Sequence, residues 1–147
     1  DISSKYDRVI LIANSIGAYF SLISLSEISI EKAMLISPIV DMESIILNMM
    51  KCENVTENEL MLDKEIETSF GEFLSWEYLS YIRKNTIHWD IPTNILFADN
   101  DNMTSLDSMT NFTKKINADL TIMENGEHWF HTEEQMRFLD NWFEKHI

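Results

Sequence analysis

The sequence has little of several features on which whole classes of protein depend. A single cysteine, Cys52, excludes a disulfide within the chain and predicts a reducing, cytoplasmic setting. Basic side chains are scarce, 11 against 25 acidic ones, and the resulting net charge of −14 repels nucleic acid and anionic lipid. There is also no run of about 20 apolar residues that could span a membrane. We therefore expect neither nucleic acid nor a membrane as a partner.

Glycine and proline are also rare, at three and two residues, which is typical of a globular protein. Hydrophobic residues make up 45% of the 147 residues and aromatic residues 11%, as in globular proteins rather than disordered or fibrous ones. A chain of this length buries roughly 68–70% of its unfolded surface. The sequence therefore predicts one domain, residues 1–147, that needs no metal or disulfide for stability.

One stretch organises the rest of the chain. The β-branched run Val9–Ala13 predicts a strand, and it is followed by Ser15 and a helix that ends near Glu27. The residues predicted to form the apolar face of this helix are Ile16, Tyr19, Phe20, Ile23 and, less clearly, Leu22. A serine at such a turn presents its hydroxyl beside the first N–H groups of the helix, which suggests a nucleophile.

Three further strands are predicted at Ala33–Ser37, Asn94–Ala98 and Asp119–Met123. Two more helices are predicted, one after a cap at Thr104 or Ser105 and one from Thr132, where a capping box begins. Their predicted buried faces are Leu106, Met109, Phe112 and Ile116, and Met136, Leu139, Trp142 and Phe143. Strands alternating with helices indicate an α/β fold with a parallel sheet flanked by helices.

The second and third strands are separated by an unusually long segment, residues 41–90. A simple crossover needs only about a dozen residues, so this segment is predicted to be a helical insertion with a packing or functional role. Its methionines and aromatic residues are typical of adaptable apolar surfaces, although each of them could instead merely pack the insertion against the body of the fold.

Three polar residues follow predicted strands: Ser15, Asp101 and His128. The carboxyl ends of parallel strands meet at one edge of the sheet, so these side chains should lie close together. A serine hydroxyl becomes a good nucleophile when an imidazole accepts its proton and a carboxylate orients that imidazole. The spacing therefore predicts a Ser-His-Asp triad.

Other residues compete for these roles. A serine that follows a strand is more often a helix N-cap than a nucleophile. Asp99 and Asp41 are alternative acids, and the alternative bases are His88, His131 and His146. Positions directly after strands favour Asp101 and His128. No His-x-x-x-His pair or cysteine ligand set indicates a metal, and the triad requires no cofactor.

The chain resembles the α/β-hydrolase fold superfamily, specifically bacterial serine hydrolases of the esterase and lipase type. The residues that carry the resemblance are Ala13-Asn14-Ser15-Ile16-Gly17, Ala98-Asp99-Asn100-Asp101 and Gly126-Glu127-His128-Trp129. Ala13 stands where the nucleophile motif of that family has its first glycine. The resemblance extends from Val9 to the end of the chain and matches the C-terminal part of the fold.

The resemblance implies a hydrolase of carboxylic esters or related acyl compounds. Ser15 would be the nucleophile, Asp101 the acid, His128 the base, and the Ile16 N–H one donor of the oxyanion hole. Residues 41–90 would form a lid. Trp129 and Trp76 would line the substrate pocket, although tryptophans beside catalytic loops are as often packing residues.

The match begins at the fifth strand of an eight-stranded fold, so the strands that would precede it are expected to be missing from this chain. The strand Val9–Ala13 would then have an unpaired apolar edge, and we expect that edge to form a homo-oligomer or to be covered by a missing N-terminal segment. The alternative to an enzyme is a truncated, catalytically incompetent portion of a hydrolase that serves as a binding module.

Overall fold

The structure is a computed structural model that describes residues 5–147; the first four residues of the predicted domain lie outside the described residues. Its elements in chain order are β1 (Ile10–Asn14), α1 (Ser15–Ser24), β2 (Lys32–Ile36), α2 (Met42–Cys52), α3 (Glu57–Asp63), β3 (Glu65–Glu67), β4 (Phe73–Ser75), α4 (Trp76–Lys84), β5 (Thr93–Ala98), α5 (Leu106–Ile116), β6 (Asp119–Met123) and α6 (Glu133–His146). They form two compact units, a sheet unit (residues 5–40 and 87–147) and unit 2 (Asp41–Thr86).

The sheet unit contains four parallel strands in the order β1-β2-β5-β6. Its most buried strand is β5, in which Ile95 to Ala98 are completely inaccessible. A strand that is covered on both faces has a continuous apolar run instead of alternation, which explains why this strand is evident in the sequence. The predicted α/β class with a parallel sheet and flanking helices is confirmed.

The helices of the sheet unit begin at recognisable caps. The Ser105 hydroxyl accepts a hydrogen bond from the Ser108 N–H at 3.1 Å and so caps α5. The predicted capping box of α6 is confirmed. The Thr132 hydroxyl accepts the backbone N–H of Gln135, and the Gln135 side chain accepts the backbone N–H of Thr132. Trp142 of α6 packs with Met34 and Leu96 in the core. None of the helices within residues 5–147 is long and apolar enough to cross a membrane.

Several predicted element boundaries were wrong by a few residues. The first strand is Ile10–Asn14 rather than Val9–Ala13, and the second is Lys32–Ile36 rather than Ala33–Ser37. The first helix ends at Ser24. Backbone hydrogen bonding, and not side-chain type, fixes the last residue of an element, so sequence pattern locates its centre better than its ends.

Four residues predicted to be buried are exposed: Ile16, Phe20, Leu106 and Met136. On α1 the buried residues are Ala18, Tyr19 and Leu22. The buried face therefore includes the small Ala18, which was not among the residues predicted to form it. On α6 the polar Gln135 is buried, and its side-chain oxygen accepts the His131 N–H at 3.0 Å, which offsets the cost of burying it.

Unit 2 contains α2, α3 and α4, and also the antiparallel hairpin β3–β4. The predicted helical insertion thus also contains a hairpin, which the sequence did not indicate because strands of three residues carry almost no pattern. The unit ends at Thr86, before the predicted boundary at residue 90. Trp89 consequently belongs to the sheet unit, where its indole N–H donates to the Thr93 hydroxyl at 2.8 Å.

Three helices of unit 2 are joined by one guanidinium. Arg83 of α4 donates two parallel hydrogen bonds of 2.8 Å to Glu57 of α3 and one of 2.6 Å to Glu43 of α2. The carboxylate Glu57 keeps a pKa below its ordinary value because of the hydrogen bonds from Arg83, and the pKa of Arg83 is raised by the same contacts. The acidic composition of the chain is thus used locally to hold helices together.

The outer side of β1 is an open edge within the described residues, because β1 pairs only with β2. Ile12 of β1 and Ile16 and Phe20 of α1 are each about half exposed. Gly17 lies between the two helical residues, and a Cβ added to it would meet no atom within 4 Å. We refer to Ile12, Ile16, Gly17 and Phe20 as the β1 edge surface.

Candidate active site

Ser15 is the first residue after β1, and its backbone has a φ of 48°. Such a left-handed conformation is uncommon for a residue with a side chain, and it forms the sharp turn from strand to helix. The Ser15 hydroxyl lies 2.8 Å from His128 Nε2. Asn14 occupies the N-cap position of α1 without a side-chain capping hydrogen bond, and Ser15 is the first residue of the helix and not its cap.

His128 lies in the loop after β6, and Asp101 lies in the loop after β5. His128 Nδ1 is 2.8 Å from Asp101 Oδ2, and the two side chains are 3% and 0% exposed. An ionised carboxylate can only accept a hydrogen bond, so His128 Nδ1 carries the proton in this pair. His128 Nε2 is then an acceptor for the Ser15 hydroxyl. The three residues predicted from the sequence are therefore brought together in a continuous hydrogen-bonded series.

The other oxygen of Asp101 is held by its own turn. Asp101 Oδ1 accepts the N–H of Met103 at 2.7 Å and the N–H of Thr104 at 3.0 Å. With these two bonds on one oxygen, the second oxygen faces His128 alone. From the sequence, Thr104 is predicted only as a possible helix cap, and its contact with Asp101 leaves no signal beyond a position in a polar loop.

The competing acids and bases have other contacts. The Asp41 carboxylate caps α2 by accepting the N–H and the hydroxyl of Ser44, and Asp99 is exposed. His131 Nδ1 contacts the Trp129 carbonyl oxygen, and His146 Nδ1 contacts the Trp142 carbonyl oxygen. His88, counted with the insertion in the sequence prediction, lies in the sheet unit.

The loops that carry the acid and the base are joined through Gly126. The Asn100 N–H donates to the Gly126 carbonyl oxygen at 3.0 Å, and the Gly126 N–H donates to the Met123 carbonyl oxygen at 3.2 Å. A Cβ at Gly126 would lie only 3.1 Å from the Ala98 Cβ and 3.2 Å from the Met123 Cβ. A side chain here would make Ala98 or Met123 shift by a few tenths of an ångström, because the backbone passes close to the ends of β5 and β6.

Three further predicted site residues are placed as follows. Ile16 is the second residue of α1, where helix geometry leaves the backbone N–H without an intrahelical acceptor. Trp129 is 64% exposed, and its ring meets the His128 imidazole edge to face at 5.2 Å between centroids. Trp76 begins α4 in unit 2. Substrate contact by either tryptophan stays a prediction.

Similarity to solved structures supports the fold, whereas sequence similarity to known families does not. No protein-family model matches the sequence, and no curated protein matches it significantly. Solved structures do match, and several of them are α/β-hydrolase fold proteins. The chain thus has a partial α/β-hydrolase fold.

Three of these structures show the extent of the match. Est1E from Butyrivibrio proteoclasticus, with ferulic acid bound, is 18% identical with a TM-score of 0.72 over 99% of this chain and 63% of its own. Mouse α/β-hydrolase domain-containing protein 10 is 13% identical, with a TM-score of 0.68 over 94% of this chain and 62% of its own. An esterase from Pyrococcus furiosus is 18% identical, with a TM-score of 0.58 over 99% of this chain and 53% of its own. The chain thus spans less than two thirds of each of these proteins.

Proposed function

We propose that this chain carries the catalytic residues of a serine hydrolase that acts on carboxylic esters or related acyl compounds. The observation that supports this most directly is the series Ser15 Oγ, His128 Nε2, His128 Nδ1 and Asp101 Oδ2, with both contacts at 2.8 Å. One of the structurally similar proteins, from Pyrococcus furiosus, is an esterase by name, which favours an ester over an amide.

In the proposed reaction the Ser15 oxygen attacks the carbonyl carbon while His128 Nε2 accepts the hydroxyl proton. Asp101 stabilises the imidazolium through its bond to Nδ1. The carbonyl oxygen becomes an oxyanion, to which the Ile16 N–H donates a hydrogen bond. The bond to the alcohol oxygen then breaks, and the alcohol takes its proton from His128.

The resulting acyl-enzyme on Ser15 is hydrolysed by the same groups. His128 Nε2 removes a proton from water as the water oxygen attacks the acyl carbon, and the proton then returns to Ser15 as the carboxylic acid leaves. Trp129, exposed beside His128, is suited to contact an apolar part of the substrate, and Trp76 is proposed as a second contact. No cofactor takes part in these steps.

The assignment is tested with a fluorophosphonate probe, which reacts with an activated serine. The 147-residue chain should be labelled at Ser15, as located by peptide mass spectrometry, and the variants S15A and H128A should not be labelled. As a matched control, S21A removes another serine hydroxyl of α1, one that donates to the Gly17 carbonyl oxygen, and should retain labelling. Labelling that survives in S15A would rule out Ser15 as the nucleophile.

A second proposal concerns the β1 edge surface. We propose that another polypeptide segment adds a strand beside β1 and covers the exposed apolar side chains of that surface. In the similar structures more than a third of the chain has no counterpart here, which is enough polypeptide to do so. Ile16 belongs to this surface, so its cover would lie beside the proposed oxyanion site and could supply a second donor.

The competing function is a binding module without catalysis, which the open edge also favours. One missing oxyanion donor typically reduces the rate by about 10²–10³-fold. Probe labelling of Ser15 separates the two, because a binding module has no need of an activated serine. Absence of labelling in a folded chain would favour the module.

A further inference from the structure

The segment after β2, residues 37–39, connects the turn of Ser15 with the turn of Asp101. The Ile39 N–H donates to the Ser15 carbonyl oxygen at 3.1 Å. The next carbonyl back along the chain, that of Pro38, accepts the hydroxyl of Thr104 at 3.4 Å. This segment thus contacts both the nucleophile turn and the acid turn.

These contacts close a ring with the proposed triad. Thr104 reaches Asp101 through its backbone N–H, at 3.0 Å from Oδ1. Asp101 contacts His128, and His128 contacts the Ser15 hydroxyl. Starting from Ser15, one can follow hydrogen bonds and short stretches of backbone through residues 39, 38, 104, 101 and 128 and return to Ser15.

The ring lies in the interior of the sheet unit. Ile39 is 1% exposed and Thr104 is 6% exposed. A buried hydroxyl or carbonyl that loses its partner costs more than an exposed one, because water cannot replace the bond. Ser37, at the start of the segment, has a φ of 40°, and its N–H donates to the Leu96 carbonyl oxygen at 2.8 Å. The segment is thus fixed at both ends. The Thr104 hydroxyl, which contacts the Pro38 carbonyl oxygen of this segment, is therefore held in place as well.

We propose that Thr104 is a positioning residue for the triad. Its N–H and its hydroxyl together fix the Asp101 turn relative to residues 37–39, so that Asp101 Oδ2 stays directed at His128 Nδ1. Thr104 does not touch the reacting atoms and acts through Asp101. A role for Thr104 in catalysis rests on the proposed function. The way Thr104 fixes the Asp101 turn relative to residues 37–39 does not depend on catalysis.

The test replaces Thr104 with valine and with serine. T104V keeps the volume and the backbone N–H but removes the hydroxyl, and T104S retains the hydroxyl. Since a displacement of about 1 Å can cost on the order of 10²-fold in rate, partial release of the Asp101 turn should slow probe labelling of Ser15 by about tenfold in T104V. T104S should recover most of the wild-type labelling rate.

Thr113 provides a matched control. It is also buried, at 8% exposed, and its hydroxyl donates to a backbone carbonyl, that of Met109, at 2.7 Å. It lies on α5 outside the ring. T113V and T104V should both lower the midpoint of urea unfolding, but only T104V should slow labelling.

A second measurement does not require any reaction at Ser15. A proton held between His128 Nδ1 and a carboxylate resonates far downfield in the ¹H NMR spectrum, and the signal is assigned by its loss in D101N. The resonance should shift upfield or broaden in T104V, return in T104S and stay unchanged in T113V. If the probe does not label the wild-type protein but the resonance still changes in T104V, the proposed function is rejected and the positioning role is kept. Equal behaviour of T104V and T113V in both measurements would overturn the inference.

Discussion

At the scale of single residues, the site depends on two serines with unusual backbones. Ser15 and Ser37 directly follow the neighbouring strands β1 and β2, and both have a positive φ, 48° and 40°. A conformation of this kind costs on the order of 1–3 kcal/mol and persists only where surrounding contacts hold it. Here those contacts are the Ile39 N–H on the Ser15 carbonyl and the Leu96 carbonyl on the Ser37 N–H. The nucleophile position is therefore maintained by backbone contacts between strand ends.

The two glycines near the site should respond to alanine in opposite directions. G126A places a methyl group 3.1–3.2 Å from Ala98 and Met123, so we expect a loss of about 1–3 kcal/mol in the free energy of unfolding. G17A adds a methyl group in open space within a helix, so it should raise that free energy by about 1 kcal/mol. Urea denaturation at low protein concentration measures both. A destabilised G17A would show that the helix cannot accept a side chain there.

The three residues of the proposed triad stand out in the sequence because each lies within a few residues of the end of a strand with a clear pattern. Thr104 and Ile39 could not be assigned in this way, because their contacts join segments that are far apart in sequence. Gly126 is intermediate: its place in a turn is evident, but the close approach of Ala98 depends on the pairing of β5 with β6. Local pattern thus predicts which groups reach the sheet edge, and tertiary contacts decide how they are held.

At the scale of elements, unit 2 depends on an ionic contact that titrates. Arg83 keeps the pKa of Glu57 below its ordinary value of 4.5. A group with a depressed pKa in the folded state contributes stability that is present above the ordinary pKa and is lost as the pH falls through the folded pKa. Unit 2 should therefore be progressively destabilised as the pH falls below about 4.5.

The variant R83M tests this expectation. It removes the charge while keeping a long apolar side chain, so the difference in stability between wild type and R83M should be present at pH 6 and should shrink as the pH falls below 4.5. Amide hydrogen exchange of α3 and α4 follows unit 2 specifically. R137M is the control, because Arg137 contacts an exposed glutamate of its own helix at 3.5 Å. A difference for R83M that is independent of pH would contradict the linkage.

The elements that sequence analysis recovered are those with strong local signals. β5 has a continuous apolar run, and α6 has the capping box of Thr132 and Gln135. The hairpin β3–β4 was missed because its strands have three residues each and gain their stability from cross-strand pairing. The exposed face of α1 was assigned incorrectly because periodicity identifies an apolar stripe but does not say what covers it.

At the scale of the whole molecule, the open edge of β1 should govern association. An exposed apolar edge strand pairs with other chains unless it is covered or charged. The isolated chain should therefore self-associate, and I12K should shift it toward the monomer, as measured by sedimentation velocity. Ile122 of β6, the edge strand at the other end of the sheet, is also exposed, so I122K tests the competing edge: association through β1 should be lost in I12K and kept in I122K.

The outcomes of this experiment separate the possible covers of the edge. A monomeric wild-type chain in which hydrogen exchange of the β1 amides is as slow as in β2 would contradict an uncovered edge. Association that responds equally to I12K and I122K would place the contact elsewhere. Association lost only in I12K supports the proposal that this edge is normally occupied by a further strand.

The position of unit 2 in the chain has a consequence for how such proteins can vary. All of unit 2 lies between β2 and β5, which pair directly in the sheet. Doubling the length of a flexible connection between two such strands costs only about 0.6 kcal/mol of chain entropy, which is small beside the roughly 5–15 kcal/mol that stabilises a typical domain. Insertions of very different length and sequence can therefore be exchanged at this point at little thermodynamic cost. The strand ends that carry Ser15, Asp101 and His128 would stay as they are.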